Sequence, residues 1–308
     1  MSPMLSYSAD HTYTLEDLHD WQFQGTSLAV LGQPVRHSIS PQMHNAALAE
    51  LAAKHPQLSA WKYFRFEIAP EQLLESLPLF HAKGFQGLNL TVPHKEIAFP
   101  AVSQIDPEAQ PIGAVNTLRR LDDGWAGYNT DGYGLAQGIE RELQREIQNS
   151  DLVLLGAGGA ARAAAIQALQ SRCQSLTIVN RNQERLGKLV SELQPIAAAA
   201  NIPLHPLSPQ DIDTLPAGCL LVNATSLGLK QDDPTPIPED KLPLNACCYD
   251  MIYNPPTTRL MNLVSQNGGI VANGLSMLVH QGAKSLSIWT ETDAPAETMQ
   301  KAAEQAMA

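Results

Sequence analysis

One short segment limits what this chain can fold into more than any other. Gly156-Ala157-Gly158-Gly159-Ala160-Ala161 lies between an apolar run, residues 151–155, and an alanine-rich stretch reaching about residue 169. Gly156, Gly158 and Ala161 fit the pattern G-x-G-x-x-A: a glycine for a tight turn, a second that lets backbone approach a pyrophosphate, and a small residue for close strand–helix packing. The helix that opens there presents unpaired N–H groups to phosphates. A second apolar run, residues 176–180, follows within 30 residues, so the whole reads as a βαβ unit of a doubly wound sheet. At the end of that second strand an NAD enzyme normally carries Asp or Glu for the ribose hydroxyls. This chain has Asn180-Arg181-Asn182, with Arg185 one turn on. Guanidinium groups in place of a carboxylate point to the 2′-phosphate of NADP(H), held against Arg181. Solvated surface arginines are the alternative reading, more so for Arg185.

At 308 residues the chain is expected to form two domains. Ahead of the βαβ unit, strand-like runs at 27–31, 61–68 and 87–92 alternate with helical stretches at 41–54 and 71–83. A hairpin is expected around Asp122-Asp123-Gly124. This order predicts an α/β domain with a mainly parallel sheet. Ser40-Pro41 reads as an N-cap with proline at the first helical position. Strands near 220–223, 246–250 and 269–272 extend the second sheet, and residues 276–308 are helical. The expected division is a substrate-binding domain over 25–130 plus 276–308, with the C-terminal helices returning to the first domain, and a Rossmann-like NADP-binding domain over 131–275. Residues 1–24 are expected to be an extension that packs on the surface or is partly disordered. They are acidic and have no apolar core of a secretory signal.

The composition is globular, 44% hydrophobic and 17% charged. The net charge of −11 argues against nucleic acid and against a membrane surface as partners. Any anionic ligand must be held by local groups. No apolar run approaches the roughly 20 residues that span a bilayer. Cys173, Cys219, Cys247 and Cys248 lack zinc spacing, as do His37, His44 and His94, so no metal is expected. The adjacent Cys247 and Cys248 read as buried thiols, which suits a reducing cytoplasm.

Hydride transfer at an alcohol carbon requires a proton carrier beside the nicotinamide. Two groups stand out. Lys95 follows the strand at 87–92, and Asp131 opens the helix leading into the second domain. Both occupy element ends expected to face a cleft between domains. Each also has an ordinary structural reading: a solvated lysine after a turn, and an aspartate N-cap.

The motifs, taken in order, resemble those of the shikimate dehydrogenase family from about residue 25 to 281. They include Gly32-Gln33-Pro34-Val35-Arg36-His37-Ser38-Ile39-Ser40-Pro41, Asn89-Leu90-Thr91-Val92-Pro93-His94-Lys95, Gly113-Ala114-Val115-Asn116-Thr117 and Asn129-Thr130-Asp131-Gly132. The glycine turn, Asn223-Ala224-Thr225-Ser226-Leu227-Gly228, Asp250-Met251-Ile252-Tyr253 and Asn273-Gly274-Leu275 through Gln281 follow. Leu90 departs from a frequent valine, and residues 1–24 lie outside the pattern. The resemblance implies a general acid/base, Lys95, with Asp131 as its partner. It implies that Ser38 and Ser40 bind the substrate carboxylate, with Thr91, Asn116, Asp131, Tyr253 and Gln281 around the ring. Gly156, Ala157, Gly158, Gly159 and Ala160 would hold the pyrophosphate, and Asn180, Arg181, Asn182 and Arg185 the adenosine phosphate. Thr225, Met251 and Gly274 would complete the cofactor site. The implied reaction interconverts 3-dehydroshikimate and shikimate with NADPH.

A quinate or shikimate/quinate dehydrogenase is the nearest alternative. A non-catalytic NADP-binding regulator on the same fold is a more distant one, which loss of Lys95 or Asp131 would have signalled. An attached dehydratase domain is not expected at this length. A monomer and a homodimer both stay open.

Overall fold

Apolar residues of β2 (Thr26–Gly32) and aromatic residues of β3 (Trp61–Glu67), both strands being buried through their middle, build the first sheet. The computed structural model describes residues 7–307. It divides into two units. One holds the described residues up to Thr130 and from Gly282 on; the other is Asp131–Gln281. The helix Leu275–Thr290 is therefore shared between them, where the expected boundary gave all but its first residue to the first domain.

In the first unit the strands and helices are β1 (Thr12–Tyr13), α1 (Leu15–His19), β2, α2 (Ser40–Lys54), β3, α3 (Leu73–Ala82), β4 (Gly87–Leu90), α4 (His94–Ala98), β5 (Gln104–Ile105), β6 (Thr117–Arg120) and β7 (Trp125–Tyr128). The sheet order is β1-β3-β2-β4-β6-β7-β5, parallel except where β6 pairs with β4 and β7. Gly124, at φ +83°, turns the β6–β7 hairpin.

The N-terminal extension corrects the sequence expectation. Within residues 7–24, Tyr13, Leu18 and Trp21 enter this unit's core. Thr12 and Tyr13 pair in parallel with Arg65 and Phe66 of β3. Leu18 and Trp21 are buried. Trp21 packs 4.9 Å centroid to centroid on Phe64, and its indole N–H donates to Ser27 Oγ at 3.1 Å. The local sequence is polar, but pairing with a strand some 50 residues away covers its aromatic side chains. Packing of this kind is not visible in a local window.

Ser40 also departs from expectation. Ile39 is the N-cap of α2 and makes no side-chain cap, and Ser40 is the first helical residue. Its N–H goes instead to Ser38 Oγ at 3.3 Å. Further along α2, His44 is buried and stacks on Tyr63 at 4.0 Å. Its Nδ1–H donates to the Ser40 carbonyl at 2.8 Å. Burial lowers its pKa from 6.5 to about 4, against the opposing effect of backbone hydrogen bonds. Between those values the unfolded chain binds a proton here and the folded chain does not. Stability present at pH 7 is thus lost as pH falls through that window, by about 3 kcal/mol. Urea unfolding at a series of pH values is expected to show this slope in the wild type and a shallower one in His44→Phe, the remainder coming from buried His94. An unchanged slope in the variant would assign the acid sensitivity to another group.

The second unit contains α5 (Asp131–Leu143), β8 (Asp151–Leu155), α6 (Gly159–Gln170), β9 (Ser175–Val179), α7 (Gln183–Ala200), β10 (Leu204–Leu207), β11 (Leu220–Asn223), β12 (Cys247–Asp250), α8 (Arg259–Gln266), β13 (Ile270–Ala272) and the start of α9 (Leu275–Thr290). Its sheet is fully parallel in the order β10-β9-β8-β11-β12-β13. The order reverses between β8 and β11, which is the switch point where such sheets bind ligands. Alanines 161, 163, 164, 165 and 168 line the buried face of α6, allowing close helix–sheet approach. All four cysteines are buried free thiols. The chain ends in α10 (Ala296–Met307), which packs on α2 of the first unit. Among the described residues no helix is long and apolar enough to cross a membrane.

Candidate active site

In the first unit, the residues singled out from sequence gather at the carboxyl ends of β2 and β4. After β2, the chain turns through Ser38, whose N–H donates to the Val35 carbonyl at 3.0 Å. Ser38 Oγ and Ser40 Oγ stand 3.1 Å apart, as a hydroxyl pair suited to one carboxylate. After β4, Thr91 N–H donates to Leu31 and the Thr91 carbonyl accepts from His94 N–H. A Cβ at Gly32 would strike the Thr91 side chain, so the exits of β2 and β4 are in contact. His94 is buried, and its Nε2 bonds the Ile68 carbonyl at 2.8 Å, anchoring the turn from which half-buried Lys95 projects. Burial lowers the His94 pKa, so this anchor is a neutral ring.

The Lys95 carbonyl accepts from Val115 N–H at 3.0 Å, which ties the lysine to the segment carrying Asn116. Asn116 is buried. Its side chain bonds the Thr130 N–H at 2.9 Å and the Thr130 hydroxyl. Asp131 follows directly and is the buried first residue of α5, in the second unit.

In the second unit, every predicted cofactor residue lies at a carboxyl end of the parallel sheet. Gly156 has φ +118°, and a Cβ there would press on the Ala224 carbonyl and the Thr225 methyl across the switch point. Gly158 is the N-cap of α6 and offers no side-chain cap to the helix. A Cβ at Gly158 would enter open space, so the protein itself does not require glycine there. Gly158, Gly159 and Ala160 are exposed at the N-terminus of α6, so these residues fit the phosphates of a dinucleotide. Past β9, Arg181 and Arg185 are exposed. Asn182 is engaged in capping α7, its Oδ1 accepting from Arg185 N–H at 2.9 Å.

Gly274 is held against the Met251 backbone so closely that any Cβ would collide with it. Tyr253 is partly buried, and burial raises its hydroxyl pKa. Gln281 lies where α9 crosses α5, beside Gly134.

One arrangement had no role assigned from sequence. Asp250 closes β12, fully buried. Its carboxylate accepts from Asn223 Nδ2 at 3.0 Å, Ile252 N–H at 3.1 Å and the Thr258 hydroxyl at 2.7 Å. Asn223 Oδ1 in turn accepts from the Thr225 N–H and hydroxyl. The loops bearing Thr225 and Met251–Tyr253 are thus built on one buried amide–carboxylate pair. A carboxylate ending a buried strand was the available signal.

Among the described residues no group of His, Cys, Asp or Glu is placed to hold a metal ion.

Comparison with known proteins decides the family. Residues 30–118 match the shikimate dehydrogenase substrate binding domain, 138–208 the shikimate / quinate 5-dehydrogenase domain, and 274–304 the shikimate 5'-dehydrogenase C-terminal domain. The NADP(+)-type shikimate dehydrogenase of Synechocystis is 38% identical over 282 residues, covering 89% of this chain and 93% of that protein. This chain belongs to the shikimate dehydrogenase family. A shikimate dehydrogenase solved with NADP+ superposes with a TM-score of 0.80 at 31% identity, over 93% of this chain and 97% of that one. The Thermus thermophilus shikimate 5-dehydrogenase, solved with NADP(H) and shikimate, does so with a TM-score of 0.79 at 32% identity, over 91% and 99%. Family membership agrees with the two-unit α/β architecture and the Rossmann-type strand order.

Proposed function

We propose that this chain catalyses the reversible NADP-dependent reduction of 3-dehydroshikimate to shikimate, a step of chorismate and aromatic amino-acid biosynthesis. The observation that carries it is the placement, in a chain of this family, of the Ser38–Ser40 hydroxyl pair and Lys95 at the exits of neighbouring strands. The two serines bind the substrate carboxylate with local hydroxyl donors, since the overall field of an acidic protein does not attract anions. Thr91, Asn116, Asp131, Tyr253 and Gln281 orient the ring hydroxyls. NADP(H), when bound, supplies or accepts the hydride. Lys95 gives a proton to the carbonyl oxygen during reduction and takes the hydroxyl proton during oxidation, with Asp131 fixing its position. Gly156 to Ala160 hold the pyrophosphate. Thr225, Met251 and Gly274 shape the nicotinamide side, and Asn180 to Arg185 the adenosine phosphate. The buried thiols and the acidic charge support a cytoplasmic enzyme acting on a small molecule, with neither nucleic acid nor membrane as partner.

The test is nicotinamide absorbance on mixing the protein with shikimate or quinate and NADP or NAD. Turnover is expected to be greatest with shikimate and NADP. Faster turnover of quinate would reassign the substrate, and no reaction in any combination would remove the activity. Arg181→Ala is expected to raise the KM for NADPH about 10- to 100-fold, the worth of a charge-assisted guanidinium–phosphate contact. The KM for NADH should be little changed. Arg185→Ala is expected to have a smaller effect. Equal losses with both cofactors would place the 2′-phosphate elsewhere.

A further inference from the structure

Arg65 projects from β3 and is buried, an uncommon place for a guanidinium, with the charge of Asp10 acting on it in its favour. Its two terminal nitrogens go to backbone carbonyls from distant parts of the chain. One donates to the Ser38 carbonyl at 2.8 Å, the other to the Asp10 carbonyl at 2.7 Å. The first acceptor lies in the turn that carries both serines. The second lies in the N-terminal extension, just ahead of the strand that pairs with β3. Between β2 and Ser38 the segment is mostly exposed. The nearby Arg36–Glu67 ion pair joins it to β3 at 3.2 Å, but Arg36 is largely solvent-exposed and the pair holds it weakly. The buried guanidinium is the stronger anchor, because a planar fork fixes two acceptors at once.

We propose that Arg65 is a positioning residue for substrate. Braced by the N-terminal extension at Asp10, it fixes the Ser38 peptide and so aims the Ser38 and Ser40 hydroxyls. This rests on the reading that these serines bind the substrate carboxylate. Arg65 acts through the Ser38 peptide, to which its guanidinium donates. A displacement of about 1 Å in a binding group is enough to lose much of its contribution.

The experiment is steady-state kinetics on the full-length protein with Arg65→Met, Arg65→Lys, the double variant Ser38→Ala/Ser40→Ala, and each Arg65 variant combined with the double variant. NADPH affinity is measured directly by fluorescence. Arg65→Met is expected to raise the KM for shikimate about tenfold while kcat and NADPH affinity stay within about twofold. Arg65→Lys, reaching one carbonyl at a time, should fall between wild type and Arg65→Met. In the background lacking both serine hydroxyls, the Arg65 effect on the shikimate KM should disappear, because the two act as one unit. If Arg65→Met does not fold, the comparison is made with Arg65→Lys. An Arg65 effect of equal size with and without the serines, or no effect on the shikimate KM, overturns the proposal. If the serine variant leaves the shikimate KM unchanged, the substrate-binding reading fails first and the anchor proposal with it.

Discussion

Lys95→Ala is expected to lower kcat about a thousandfold, within the range that positioned general acid–base groups contribute. In barrier height that is about 4 kcal/mol. The loss is expected to be one of chemistry and not of folding. Lys95 is only partly buried, whereas the turn beneath is anchored by the neighbouring His94 and by the Lys95 backbone. Truncating the side chain leaves those bonds in place. NADPH affinity should therefore persist while turnover collapses. Asp131→Asn preserves shape and removes charge, and a smaller loss, about 10- to 100-fold, is expected from a partner that orients the proton carrier. Both are read from nicotinamide absorbance under saturating substrate, beside a thermal melt. Near wild-type turnover in both variants with unchanged melting would remove the pair from the mechanism.

Local chemistry was legible from sequence; chemistry assembled over distance was not. The glycine turn, its flanking strand and its alanine-lined helix form one contiguous segment, so their pattern carried the fold of the second unit. The β6–β7 hairpin was legible at Gly124 for the same reason. Ser40 was misread because Ser-Pro before an apolar stretch is the same signal whether the serine caps the helix or opens it. Residues 7–24 were misread because β1 gains its burial from β3, and a two-residue strand has no periodicity to detect. Arg65 occupies one position of an alternating strand and looks like any polar residue there. Asn223 and Asp250 lie 27 residues apart and meet only through the pairing of β11 with β12. For Lys95 and Asp131, residue chemistry left an ordinary structural reading open, and the succession of motifs along the chain favoured the catalytic one.

The Asn223–Asp250 pair makes the second large prediction. Asp250→Ala leaves the buried Ile252 N–H and Thr258 hydroxyl without their acceptor and takes from the Asn223 amide one of its two, the other being the Leu227 carbonyl at 3.3 Å. At roughly 1–3 kcal/mol for each unsatisfied group, with partial relaxation, a loss of about 4 kcal/mol in stability is expected. The consequence for ligand binding is as specific as the consequence for folding. Ile252 heads the turn holding Met251 and Tyr253, and Asn223 holds Thr225, so both loops lose their common support. Asp250→Asn separates the two effects. Burial raises the Asp250 pKa against the lowering influence of its three hydrogen bonds, so its charge is held at a cost that the amide avoids. The amide keeps one acceptor and the side-chain volume, and its NH2 can face the Thr258 hydroxyl, which is able to accept. The expected result is a stability loss of about 1 kcal/mol with a rise in the KM for NADPH smaller than that of Asp250→Ala. Urea unfolding and direct NADPH titration of both variants measure the two quantities. If Asp250→Ala unfolds at the wild-type midpoint, the carboxylate is not the support of these loops. If Asp250→Asn is destabilised yet binds NADPH as the wild type does, the pair serves folding alone.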